Sequence, residues 1–307
     1  MVRLAGRVSA VPPGSGPALL ALLFNATIWG LSWWPLRYLA ERGLHGLWAT
    51  AIVFLIGSVG IALLWRSALG RLLSDRRLWV LALAAGLTNA CFNWGMTAGE
   101  VLRVVLLFYL MPVWTMLLAR WLLAEPITPG AAVRALVAIA GAAVVLWEPG
   151  TGLPWPTSLG DWLGVAGGAA FAWLNVQLRG LGEAPATARA LAMSVGSALV
   201  PAGVGIALMA VGMISAPPVN DFAWLPGSVV LAVILLVANA ALQFGAPRLP
   251  TRVTAIVMLT EVPVAALSSV LIAGETLRPH VLAGGALIVL ASLAAALSLR
   301  PRKSKTA

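Results

Sequence analysis

The chain has 307 residues, 61% of them hydrophobic and only 10% charged, with a formal net charge of +10 and a mean hydropathy of +0.96. A soluble domain carries roughly 25% charged residues, so this composition cannot clothe a water-facing surface and describes an integral membrane protein. The single cysteine, Cys91, excludes an intramolecular disulfide framework and reads as a small packed hydrophobe.

Ten apolar segments can be marked in order, at about 17–39, 45–65, 78–98, 101–122, 129–148, 159–179, 187–212, 226–247, 252–273 and 279–299. The first follows two arginines, as a signal peptide would. Its length of ~20 residues or more, with Trp29, Trp33 and Trp34 and no small-residue cleavage site, fits a first membrane helix instead. Polar or Pro- and Gly-rich breaks separate the segments, for instance at 66–77, 125–130, 148–161, 180–185 and 216–221. Segment length and the Ala, Leu and Gly content favour helices over the alternating ten-residue strands of a barrel.

Charge sets the orientation. With a cytoplasmic N-terminus, Arg37, Arg42, Arg103 and Arg278 fall outside and the other sixteen of the twenty Lys and Arg fall inside. Nine or eleven crossings would spoil this alternation, so the expectation is ten transmembrane helices with both termini cytoplasmic. The surplus of positive charge thus reflects membrane orientation rather than nucleic-acid binding.

The chain also repeats. Asn89-Ala90-Cys91-Phe92-Asn93-Trp94-Gly95 returns 150 residues later as Asn239-Ala240-Ala241-Leu242-Gln243-Phe244-Gly245. Pro112 leads to Glu125-x3-Pro129, and Pro263 leads to Glu275-x3-Pro279. A period of half the chain marks two copies, 1–150 and 151–307. Five helices per copy is an odd number, so the second copy enters the membrane inverted, and Arg103 outside finds its counterpart in Arg252 inside. The fold class expected is therefore all-α integral membrane, ten helices in two inverted five-helix repeats. That plan recurs in secondary transporters, whose site lies near the midplane between the copies.

These blocks resemble the drug/metabolite transporter superfamily, specifically its ten-helix EamA-type exporters. The resemblance rests on Pro112…Glu125 and Pro263…Glu275, on the small-residue segments 135–145 and 282–293, and on Trp29 and Trp173 in the opening helix of each copy. Within that superfamily the chain is most similar to the bacterial exporters of aromatic amino acids. The resemblance implies export of amino acids or related metabolites across the bacterial inner membrane. Length excludes the four-helix multidrug branch.

Among chemical motifs, no phosphate-binding G-x4-G-K-[ST] loop is present, and the only lysines are Lys303 and Lys305, so ATP hydrolysis is excluded. His45 and His280 lie near segment ends and no paired acids lie at depth, which argues against an enzyme, a metal site or a cofactor. Glu261 is the exception among ten acids, nine residues into its segment and thus ~14 Å along a helix. A midplane carboxylate costs at least ~2.5 kcal/mol and is expected to couple protons or hold a substrate ammonium, against the alternative of a protonated interhelical hydrogen bond. Asn89 with Asn93, and Asn239 with Gln243, are spaced i,i+4 and share helix faces that line a pocket or bond between helices. Of the fourteen tryptophans most lie at segment ends as an interfacial belt, whereas Trp29, Trp33, Trp94, Trp114 and Trp173 lie deeper, with Gln177 one turn beyond Trp173. Tyr109 precedes Pro112 in the fourth segment. Together these aromatic and polar groups form the candidate substrate site, with Pro112 and Pro263 as hinges.

The reading is a secondary transporter that exports a small organic solute by alternating access. A metabolite or multidrug facilitator, a channel-like uniporter and a non-transporting scaffold are the alternatives. Its partners are a small-molecule substrate and membrane lipid, without nucleic acid or ATP; the sequence leaves the oligomeric state open, a monomer being plausible.

Overall fold

The computed structural model describes residues 15–122, 124–147, 153–181, 183–219 and 222–298. Among them there is no strand; the helices are α1 (Gly16–Leu31), α2 (Trp33–Glu41), α3 (Gly46–Leu64), α4 (Arg66–Ser74), α5 (Arg76–Ala98), α6 (Val101–Phe108), α7 (Met111–Leu122), α8 (Pro129–Leu146), α9 (Leu159–Gly180), α10 (Ala186–Ala210), α11 (Trp224–Gly245), α12 (Thr251–Met258), α13 (Glu261–Ala273) and α14 (Pro279–Ser298), with a 3-10 turn at Ala246–Arg248. The termini, on which the charge count partly rests, lie outside the described residues.

Three apolar segments expected as single helices are interrupted, each by the same device. Ser32 separates α1 from α2, Tyr109 and Leu110 separate α6 from α7, and Leu259 and Thr260 separate α12 from α13. Each break lies about three residues before a proline, Pro35, Pro112 or Pro263. A proline has no N–H for the carbonyl four residues back and its ring clashes with that carbonyl, so the ladder stops there. Around each break a side-chain hydroxyl adds a donor to a nearby backbone carbonyl, at a depth where bulk water supplies none. The Ser32 hydroxyl donates to Trp29 O at 2.7 Å, and the Thr260 hydroxyl donates to Val257 O at 2.7 Å. The Tyr109 carbonyl accepts from Ser292 on α14 at 3.4 Å. Each proline then sits in the first turn of the following half-helix, where its missing N–H costs nothing.

Among the described residues, nine stretches are long and apolar enough to cross a membrane, counting α1–α2, α6–α7 and α12–α13 as one each. Of the ten expected spans, the exception is α9. It has 22 residues, but Gly160, Gly164, Gly167 and Gly168 and the buried Asp161 lower its hydropathy. Those glycines have a packing cause. A Cβ on Gly168 would lie 2.5 Å from Phe108 O, and one on Gly164 would lie 2.9 Å from Val104 O. The helix trades apolar side chains for backbone contact with α6, as small-residue helices in membranes do.

The packing is reciprocal between the two parts of the chain. α1 lies against α11, α12 and α13, while α9 lies against α5, α6 and α7. α8 crosses α14 where Gly141 meets Gly284: a Cβ on either would approach the other's carbonyl oxygen within 2.7 Å. The outside of the bundle is apolar, with Leu136 64% and Leu271 73% exposed. Such a surface would aggregate in water and is matched by lipid.

The stretch 66–77, expected as a break, contains α4. Ala68 and Leu72 face the protein, Leu69 and Leu73 are exposed, and Arg66 and Arg71 lie on the remaining side. This three-sided pattern is that of a helix lying in the membrane interface.

Candidate functional site

The interrupted helices bring four of the candidate residues together: Glu261, Tyr109, Trp29 and Trp33. Glu261, expected in mid-helix, is instead the first residue of α13, although it still lies midway along the Arg252–Ala273 span. The positive end of the α13 dipole therefore offsets part of the cost of a carboxylate at that depth. The Tyr109 hydroxyl lies 3.3 Å from Glu261 Oε2 and 3.4 Å from Met258 O, so the break of one helix faces the break of the other. Tyr109 is 4% exposed and Glu261 is half-buried. Met111, the residue 150 positions before Glu261, heads α7 as Glu261 heads α13, so the acid is present in only one of the two equivalent places.

α1 and α2 form the third wall. Gly30 approaches α13 so closely that a Cβ there would lie 2.9 Å from the Glu261 carbonyl oxygen. Trp33 is buried, and its Nε1 donates to Ser268 Oγ at 2.9 Å, tying α2 to α13. Trp29 packs on the cluster that holds Trp33, Tyr109, Leu259 and Val262. Behind Tyr109 stands an aromatic group that sequence reasoning did not single out. The Phe108 ring lies 4.7 Å from Phe92 of α5 and 5.3 Å from Phe171 of α9.

Other candidates sit apart from this centre. Asn89 donates from Nδ2 to Ser197 Oγ at 2.9 Å and to Ala85 O at 3.2 Å, bridging α5 to α10. Asn93 is 2% exposed and its Oδ1 has no partner among the described residues. The Trp114 indole N–H, on the edge of the Tyr109 cluster, is buried and equally without a partner there. A buried acceptor and a buried donor of this kind are satisfied by an ordered water or by a polar ligand. Trp173 packs in a different cluster with Leu81 and Leu191, and Gln177 is half-buried. Asn239 is half-buried and Gln243 exposed, at the margin of the outer face of α11. Pro112 and Pro263 are the second and third residues of α7 and α13, beside the breaks.

Several ion pairs were missed. Arg103 and Asp161, 6% and 1% exposed, form a bidentate pair at 2.6 and 2.9 Å, and Asp161 also caps α9 through Thr157 N and Ser158 N. Arg37 bonds Glu275 at 3.1 Å, and Arg278 bonds Glu100 at 3.1 Å. The Ser158-x-x-Asp161 capping box was a readable local signal. The partner of Asp161, 58 residues away, had no such signal. Among the described residues no cluster of His, Cys, Asp or Glu has the geometry to hold a metal ion.

The helices, the apolar exterior and the buried polar centre describe a multi-pass membrane protein with a polar locus at the meeting of two interrupted helices. Residues 16–147 match the EamA-like transporter family, so a domain of that family is present in the first part of the chain, and the family points to membrane transport of small molecules. No curated protein matches the chain. A solved crystal structure is similar with a TM-score of 0.58 at 18% identity, covering 91% of this chain and 96% of that one, a likeness of fold alone.

Proposed function

We propose that the protein is a secondary transporter that exports small organic metabolites from the cytoplasm across a bacterial inner membrane by alternating access. Amino acids with aromatic or other neutral side chains are the first substrates to consider. The observation that carries this reading is the Tyr109–Glu261 contact, made where two interrupted helices meet, one from each half of the chain. The two halves, 1–150 and 151–307, are inverted copies in this account, both termini are cytoplasmic, and α9 is the sixth of ten crossings. The reciprocal packing supports the exchange of roles between copies. So does the path of α9, whose first turn bonds Arg103 while Leu181 at its far end packs with Ala68 and Leu72 of α4.

In this mechanism the solute's ammonium group or a proton occupies the Glu261 carboxylate, and the two compete. The Tyr109 hydroxyl orients that carboxylate, and Trp29, Trp114 and the Phe108 group offer apolar and stacking surface to the side chain. The breaks beside Pro112 and Pro263 let the half-helices turn without breaking further hydrogen bonds. The test is a flux screen of labelled amino acids in proteoliposomes across imposed pH gradients. Saturable movement of aromatic or neutral amino acids is the expected result; no movement of any amino acid at any gradient would reject it.

A further inference from the structure

Three ion pairs share one face of the bundle, and all three join the first half of the chain to the second. Arg37 pairs with Glu275, Glu100 with Arg278, and Arg103 with Asp161. Glu275 does the most. Its Oε1 accepts from Arg37 Nη2 at 3.1 Å and from the Val101 amide at 2.9 Å, capping the first turn of α6. Arg37 also donates to Met96 O at 3.0 Å and to Gly99 O at 2.6 Å. One carboxylate therefore fastens the end of α13 to α2 and to the α5–α6 corner. The knot is not deeply buried: the Arg37 and Glu275 side chains are 26% and 16% exposed, and Arg37 lines a cleft of about 310 Å³ with Trp34, Tyr38 and Ile272.

The repeat gives Glu275 a counterpart, Glu125, 150 residues earlier. The α6–α7 span begins at the Glu275 knot and ends at Leu122, so Glu125 lies at the opposite face. The α12–α13 span ends near Glu275 and begins at that same opposite face, with Thr251 at the place equivalent to Val101. α9 offers a cation there, the exposed Arg179 in its last turn. Yet the Glu125 side chain is exposed and bonds to none of the described residues. The same motif is thus fastened at one face and open at the other.

We propose that Glu275 and Glu125 are alternating latches, one per membrane face: Glu275 holds its face shut in this structure, and Glu125 shuts the other by capping the head of α12 when Glu275 lets go. The proposal rests on the transporter reading for its purpose, but not for its test. A Ser269→Cys reporter in a Cys91→Ala background places one thiol on the buried side of α13, between Glu261 and Glu275, where Ser269 is fully buried. Its labelling by a membrane-impermeant maleimide, applied in native membranes from the Glu275 face, reads the opening of that face without any substrate.

Glu275→Gln is expected to label about five-fold faster or more, the factor that loss of one half-buried charged hydrogen bond produces. Adding Glu125→Gln to that variant is expected to return the rate towards the starting value, because both faces are then unlatched and the balance is restored. Glu275→Gln labelling at the unmodified rate would overturn the latch at Glu275. A double variant labelling as fast as Glu275→Gln alone would overturn the counterpart role of Glu125. Rates that shift as expected in a protein that moves no amino acid would leave the latches standing and remove the transport reading instead.

Discussion

Replacing Asp161 by alanine is the sharpest test of how the two parts of the chain are held together. The Arg103–Asp161 pair is almost fully enclosed, at 6% and 1% exposure, so solvent screening does not dilute it. Removing the carboxylate takes the ion-pair partner from a guanidinium in a low-dielectric interior, a loss of ~3–5 kcal/mol in comparable buried pairs. The same carboxylate accepts from Thr157 N at 3.1 Å and Ser158 N at 3.2 Å, so the start of α9 loses its cap at a further cost of ~1 kcal/mol. At ~2–4 °C per kcal/mol for a chain of this size class, the unfolding midpoint of the detergent-solubilised protein should fall by at least ~8 °C. A double variant, Arg103→Met with Asp161→Leu, should recover most of the pair term, because what costs most is the buried charge left without its counter-charge rather than the lost attraction. Tryptophan fluorescence during heating reads both variants. A shift below ~2 °C for Asp161→Ala, or a double variant worse than the single, would refute the reasoning.

Two further outcomes follow from local geometry. His45 caps α3 by accepting from the Leu47 amide at 3.2 Å, and burial holds its pKa below the usual imidazole value of 6.5. Its stabilisation is therefore complete above pH 6.5 and is lost as pH falls through the lowered folded value, when the ring nitrogen gains a proton and stops accepting. His45→Asn should keep the cap, worth ~1 kcal/mol, and remove that part of the pH dependence of thermal unfolding; an unchanged acid profile would contradict the assignment. At the α8–α14 crossing, even Gly284→Ala places a Cβ 2.5 Å from Gly141 O. It should cost ~1–3 kcal/mol, and Gly284→Leu should abolish monodisperse elution from a size-exclusion column; normal elution of the leucine variant would deny the close crossing.

Much of the helix plan was legible because hydropathy is local. The segments expected at 45–65, 101–122 and 129–148 correspond to Gly46–Leu64, Val101–Leu122 and Pro129–Leu146. The interruptions were not legible as such, because residues such as Leu110 and Leu259 keep the apolar run going straight through the break. The prolines were visible, but a proline alone does not distinguish a kink from a stop. Placement against neighbours decides it: Ser292, 183 residues away, answers the Tyr109 carbonyl. α4 was hidden for a different reason, since nine residues with two inward apolar positions look like a charged loop. Glu261 stood out in the sequence because it breaks an apolar run, whereas Tyr109 as its partner emerged only from the meeting of two helices. Asp161 shows the limit most plainly: its capping box is local, and its buried partner Arg103 is not.

The central claim is that a carboxylate at the crossing of two broken helices governs solute movement. Counterflow of a labelled aromatic amino acid in proteoliposomes, with and without a pH gradient, compares the intact protein with Glu261→Gln. The account predicts saturable counterflow in the intact protein and a loss of gradient-driven flux by a factor of about ten or more in the variant, the effect of removing one buried charged contact. Equal gradient-driven flux in the two proteins would contradict it.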